Sequence, residues 1–300
     1  MKSRELGRLL TAMVTPFDAE GQVDHARAGE LALRLLAEGC DGVVVSGTTG
    51  ESPTLSDDEK VALFRSIVKA VDGRGTVIAG TGTNDTRVAC ALSVAAAEAG
   101  CDGLLVVNPY YNKPDQAGLR AHFTAVAAAT DLPVILYNHP GRTGVTIEPA
   151  TLAELAALPT VVGVKDSSGN LDLVTAYRLA AGPDFAIWSG DDPLTLPYLA
   201  IGAHGVISVS AHVVARELAA MIAAWERGDV AEARRLHEAT YNIGKALFCA
   251  PSPAPTKHAL GQLGFPVGGV RLPLVACDAR AQATVEAALA AVRPGEAVAR

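Results

Sequence analysis

Eight short apolar runs, each followed by a longer Ala/Leu-rich stretch, are the feature that most narrows what this 300-residue chain can fold into. They are LLTAMVTPF (9–17), DGVVVSG (41–47), TVIAGTG (76–82), GLLVVNP (103–109), PVILYNH (133–139), VVGVKD (161–166), FAIWSG (185–190) and HGVISV (204–209). Their continuous apolar character suits strands buried on both faces, as crossover helices require. Between them lie helical patterns such as HARAGELALRLLAEG (25–39) and SDDEKVALFRSIVKAV (56–71), with others over 86–100 and 119–129. Ser56 with Glu59 reads as a capping box, and Lys60 and Arg65 fall on a mixed outer face. A strand–helix unit recurring roughly every 30 residues predicts parallel pairing with right-handed crossovers. Eight units favour a closed (β/α)₈ TIM barrel, an α/β fold, over an open doubly wound sheet.

Beyond the eighth run the pattern changes. Residues 213–247 are nearly all helix-forming, with Gly228-Asp229 marking a break, then CAPSPAPTKHALGQLG reads as turn-rich. RLPLVACDARAQATVEAALAAV supplies a final helix, and the tail PGEAVAR is expected to fray. The expected organisation is a barrel over 1–225 with a C-terminal helical extension over 226–300 packed on it.

Composition removes several function classes. Lys and Arg number 25 against 32 Asp and Glu, a net charge of −7, and no basic stripe stands out. Arg234-Arg235 is a short pair among acids, so nucleic acid is not an expected partner. Cys40, Cys90, Cys101, Cys249 and Cys277 are dispersed, with no CxxC pair and no metal-ligand spacing. No metal or organic cofactor is expected. Free thiols, an opening segment without a cleavage site and no long uncharged apolar stretch point to a cytoplasmic protein that does not enter a membrane.

In a barrel the loops after the strand C-termini form the active face. SGTTGES (46–52) brings N–H groups and hydroxyls that suit an anion, without a Walker arrangement; an ordinary Gly-rich turn is the alternative. GTGTND (80–85) lacks the final glycine of a dinucleotide fingerprint. NPYYNKP (108–114) offers two tyrosines, for contact or simply for packing. LYNHPGRTG (136–144) places Tyr137 toward the mouth, Arg142 as a carboxylate fork, and His139 as an acid, base or plain surface residue.

The sharpest feature is Lys165. It is one of seven lysines against eighteen arginines, and the one embedded in a Val-rich strand. Burying an ammonium is costly, and desolvation favours the neutral amine that adds to a carbonyl. The alternative is a lysine that snorkels or pairs with Asp166. Together with a nearby phenol and Arg142, the lysine suggests imine chemistry on a 2-oxo acid.

GTTGES (47–52), NPYYN (108–112), LYNHPGRTG (136–144), GVKDSSG (163–169) and GVISV (205–209) occur in one order. In that order the chain resembles the dihydrodipicolinate synthase/N-acetylneuraminate lyase family over residues 5–292. The GTTGE form with Tyr111, Tyr137 and Arg142 is similar to the synthase branch. The resemblance implies that Lys165 forms a Schiff base with pyruvate. It makes Tyr137 the proton-transfer residue, linked through Thr48 to Tyr111 reaching from a neighbouring subunit. Thr49 joins Thr48 at the pyruvate carboxylate, Arg142 receives the carboxylate of a small aldehyde, and Gly190 and Ile207 line the pocket. It also implies a homotetramer built as a dimer of dimers. The reaction implied is condensation of pyruvate with L-aspartate 4-semialdehyde.

Departures matter too. Asp-Ser-Ser follows Lys165 where some synthases carry Glu-Ala-Thr, His139 replaces an often apolar residue, and APSPAPTK lacks the Glu and Asn of EPNPIPVK-type segments. These keep open a relative that cleaves, dehydrates or deaminates a longer 2-oxo acid, and more remotely a non-catalytic binding barrel. In lysine-inhibited relatives an interface pocket uses His and Glu; the comparable positions here are Asp57, Lys60 and Val88, beside Asn84 and Tyr110. Weak lysine feedback is the expectation.

Overall fold

The computed structural model describes residues 6–293. Its eight strands are β1 Leu9–Ala12, β2 Gly42–Val45, β3 Thr76–Gly80, β4 Gly103–Val107, β5 Val134–Asn138, β6 Val161–Asp166, β7 Ala186–Ser189 and β8 Gly205–Ser208. All neighbours pair in parallel, and β1 closes on β8 with Leu10 opposite Ile207. The ring is a closed (β/α)₈ barrel with a C-terminal helical extension, which excludes the open sheet. Strands are shorter than the apolar runs. The first run leaves the ladder just past Ala12: the Met13 N–H still donates to the Val44 carbonyl at 3.0 Å, but the Val14 N–H goes to His212 Nε2 at 3.1 Å and Pro16 has no N–H to donate.

Helices follow the expected spacing. His25–Ala37 buries Ala28, Leu31, Ala32 and Leu35, one stripe at helical period. Asp57–Val71 starts on the capping box: Ser56 Oγ accepts from the Glu59 N–H at 3.2 Å and Glu59 Oε2 accepts from the Ser56 N–H at 2.8 Å. Lys60 is half-buried rather than on an open face, because it folds back on Asp57 at 3.0 Å. Two short helices, Pro140–Thr143 and Pro149–Ala156, lie between β5 and β6, each opened by a proline whose missing N–H has no partner to lose there.

After β8 come Ala211–Glu226 and Val230–Ala246, separated at Gly228, whose φ of +78° favours a residue without Cβ. The turn-rich reading of 249–264 needs correction, since Ala254–Gln262 is a helix. Pro253 is its N-cap and Pro255 lies in its first turn, where a proline costs no intrahelical bond. Ala279–Val292 is the final helix. Leu236, Ile243, Val285 and Leu289 are continuous with the barrel core that holds Val206 and Ile207. Among the described residues no helix is long and apolar enough to cross a membrane. The expected fraying over 294–300 lies outside them.

Candidate active site

Lys165 is the penultimate residue of β6, in register with Tyr137 on β5 and Trp188 on β7. It is only 4% exposed, and its Nζ lies 4.4 Å from the centre of the Tyr137 ring. Among the described residues it forms no ion pair. Neighbouring side chains of a strand face opposite ways, so Asp166 points out of the barrel. There it accepts hydrogen bonds from Asn138 Nδ2 at 2.7 Å, the Tyr198 hydroxyl at 2.7 Å and Ser168 Oγ at 2.6 Å. A Lys165–Asp166 pair is thereby excluded.

Space opens in front of it. A cavity of about 480 Å³ is lined by Thr48, Thr49, Tyr137, His139, Arg142, Lys165 and Gly190. At Gly190 a Cβ would sit 1.9 Å from Ser167 Oγ and 2.8 Å from Lys165 Cε, so the position is glycine because the lysine passes there. Ile207 is buried in β8 and does not line the cavity; Val209 does. A second cavity of about 410 Å³ shares Thr48, Tyr137 and Arg142 and adds Tyr110 and Tyr111.

The loop after β2 carries Thr48 and Thr49 in an unusual backbone. Ser46 and Glu51 have φ of +57° and +56°, left-handed values that non-glycine residues seldom adopt. Gly80 makes room for the loop, since a Cβ there would lie 2.4 Å from the Ser46 carbonyl oxygen. Tyr111, also left-handed at +71°, is 90% exposed. Among the described residues no hydrogen bond joins the hydroxyls of Tyr137, Thr48 and Tyr111 within one chain.

Electrostatics separate the remaining groups. Burial, then the charges of Arg142 and Lys165, push His139 down to about 4, so its imidazole is neutral near pH 7. Its Nδ1 is buried without a hydrogen-bond partner. Arg142 stands exposed at the mouth, on the turn whose N–H groups of Arg142 and Thr143 both donate to the His139 carbonyl at 3.0 Å. Asp191 beside Gly190 has its carboxyl raised by burial and by Asp192.

Sequence reading missed Ser167, Asp191, Lys245 and Ser252, all of which line the lysine cavity. Ser167 directly follows β6 and Asp191 lies two residues past β7, so both were open to discovery from the strand ends. Lys245 and Ser252 come from the extension, where no local pattern points inward. Of the outer positions, Lys60 pairs with Asp57, the Asn84 carbonyl accepts from Asn112 Nδ2 at 2.9 Å, and Tyr110 lines the second cavity. Val88 is half-buried on the helix Thr86–Glu98.

The model of the dihydrodipicolinate synthetase family matches residues 5–292. A 4-hydroxy-tetrahydrodipicolinate synthase of Heliobacterium modesticaldum is 54% identical, with 90% of each chain covered. One from Listeria monocytogenes is 52% identical over 95% of this chain and 98% of its own. Among solved structures, dihydrodipicolinate synthase of Cyanidioschyzon merolae with lysine bound superimposes with a TM-score of 0.94 at 45% identity, covering 96% of this chain and 98% of that one. The Bacillus anthracis DapA-2 synthase gives 0.93 at 45% identity over the same shares. With barrel, buried lysine and near-full-length likeness in agreement, the chain belongs to the dihydrodipicolinate synthetase family.

Proposed function

We propose that the chain condenses pyruvate with L-aspartate 4-semialdehyde to 4-hydroxy-tetrahydrodipicolinate through a Schiff base on Lys165. The observation that carries this reading is a lysine near the end of β6 that is buried, forms no ion pair among the described residues and opens onto a cavity beside a phenol. The Lys165 amine adds to the keto carbon of pyruvate, and loss of water leaves an iminium that draws electrons from the methyl carbon. Tyr137 mediates removal of a methyl proton, giving an enamine. The enamine carbon attacks the aldehyde, and the new alkoxide takes up a proton. The substrate amino group then attacks the imine carbon and displaces Lys165, releasing the cyclic product. The iminium is the electron sink for loss of the methyl proton, and the aldehyde oxygen takes the electron pair when the carbon–carbon bond forms.

Thr48 and Thr49 receive the pyruvate carboxylate, Gly190 leaves space beside the lysine, and Ile207 supports the pocket from within the barrel. Arg142 takes the aldehyde's carboxylate as a planar fork. Neutral His139 contributes a hydrogen bond to the second substrate rather than a charge. Tyr111 acts in the neighbouring subunit of a homotetramer, which its outward presentation supports. The five dispersed cysteines accord with a reducing cytoplasm. At the outer positions Lys60 repels a lysine ammonium and Val88 offers no carboxylate, which favours weak lysine feedback.

The test is a coupled assay with pyruvate, L-aspartate 4-semialdehyde, dihydrodipicolinate reductase and NADPH. Turnover that vanishes in Lys165→Ala is the expected result. An active reductase control with no NADPH consumption rejects the substrate assignment.

A further inference from the structure

The left-handed residue Glu51 ends the loop that carries Thr48 and Thr49, and its carboxylate is held from the far end of the chain. Glu51 Oε1 lies 2.7 Å from Lys257 Nζ, with side chains 0% and 3% exposed. Glu51 Oε2 accepts from the Arg271 N–H at 2.8 Å. Lys257 Nζ also donates to the Gly269 carbonyl and sits 4.1 Å above the Phe17 ring. The Arg271 guanidinium donates to the Thr54 carbonyl at 2.8 Å, the Gly21 carbonyl at 2.8 Å and both oxygens of Glu59 at 2.6 and 2.9 Å. Both flanks of the 51–59 segment are therefore tied to the C-terminal extension.

None of these three residues lines the lysine cavity. Nor does stability account for a buried ion pair, because well-packed apolar residues of equal volume serve as well or better. What such a pair supplies is one defined geometry, and left-handed backbone persists only where its surroundings over-determine it. Here the over-determined segment is the one that presents Thr48 and Thr49.

We propose that Glu51, Lys257 and Arg271 are positioning residues, by which the C-terminal extension sets the Thr48–Thr49 backbone for the pyruvate carboxylate. The inference rests on the reading of that loop given under Proposed function. Its effect falls on pyruvate capture and leaves the aldehyde half-reaction alone.

The experiment compares Lys257→Met, Glu51→Gln and the double variant in the full-length enzyme. Each single variant should raise the pyruvate KM about tenfold, a size typical of small misplacements. Borohydride trapping at low pyruvate should slow in parallel, with kcat at saturating pyruvate and the aldehyde KM nearly unchanged. Lys257→Arg, which keeps the charge, should recover part of the loss. In the double variant no charge is left unpaired, so thermal stability should return while the pyruvate KM stays raised; a merely structural role predicts that both recover. If Lys257→Met does not fold, Arg271→Met probes the same segment from its more accessible side. Folded clamp variants with normal pyruvate KM overturn the inference. A Thr49→Val control separates the two ideas: normal pyruvate KM in that control overturns the loop reading and the inference with it. A raised value there, with normal clamp variants, overturns the clamp alone.

Discussion

Lys165 and Lys257 are both buried, and they behave as opposites. Lys165 is the penultimate residue of a barrel strand, faces a cavity and has no ion pair among the described residues. Lys257 lies on Ala254–Gln262, where Glu51, the Gly269 carbonyl and the Phe17 ring enclose its ammonium. Burial holds the Lys257 ammonium below the usual lysine range despite the opposing pull of Glu51. Burial is common to both lysines and does not by itself mark a nucleophile. What distinguishes Lys165 is open space for a carbonyl and the absence of a partner that would have to be abandoned.

The contrast is open to direct attack. The largest expected effect is all-or-none: Lys165→Ala should lose the borohydride-trapped pyruvate adduct, read by mass spectrometry, while Lys257→Met keeps it. Trapping at Lys257 would invert the assignment. Next in size is stability. Lys257→Met strands the buried Glu51 carboxylate and should cost about 3–5 kcal/mol in urea unfolding. Lys165→Met removes a buried polar group that has no ion pair among the described residues, so its midpoint should match or exceed the parent's. Equal losses in the two would mean that Lys165 has a structural partner after all.

A smaller change probes the free space around Lys165. Gly190→Ala pushes a methyl into Lys165 Cε and Ser167 Oγ, and kcat/KM for pyruvate should fall about 10- to 100-fold, with the fold retained. An unaffected rate would show that the lysine reaches its carbonyl by another path.

A separate effect falls on acid stability and is shared by the barrel rather than confined to either lysine. His122, His139 and His212 are each pushed down to about 4, chiefly by burial. Their unfolded value is near 6.5, so between about 4 and 6.5 the unfolded chain binds more protons and stability rises with pH. Glu59 is held at about 2, first by its hydrogen bond from Arg271. Its contribution is present above the ordinary carboxylate range and is lost below it, in the same sense. Denaturant midpoints should be flat from pH 8 to 7 and decline from pH 6.5 to 4. His122→Gln should flatten part of that decline without touching activity.

Legibility differed across the molecule for reasons visible in particular residues. The eight strands and the lysine of β6 could be read because a doubly buried strand shows as an unbroken apolar run, and one charged residue in such a run stands out. Tyr137 and Arg142 were singled out by the rule that strand ends build the site, and both line the lysine cavity. Lys245 and Ser252 were not, since they reach the cavity from helices and turns whose own spacing gives no direction. The helix Ala254–Gln262 was obscured by prolines that read as turn residues, yet fall where a helix tolerates them.

By itself the sequence determined the barrel, the order of its strands and the chemical identity of the residue at the end of β6, because these follow from local periodicity repeated along the chain. Only the tertiary structure decided that Asp166 turns away from Lys165, that Ile207 stays behind the cavity wall, and that Glu51 meets Arg271 across 220 residues of chain. The physical reason is that pairing over such separations depends on how whole elements pack. No window of neighbouring residues carries a trace of it.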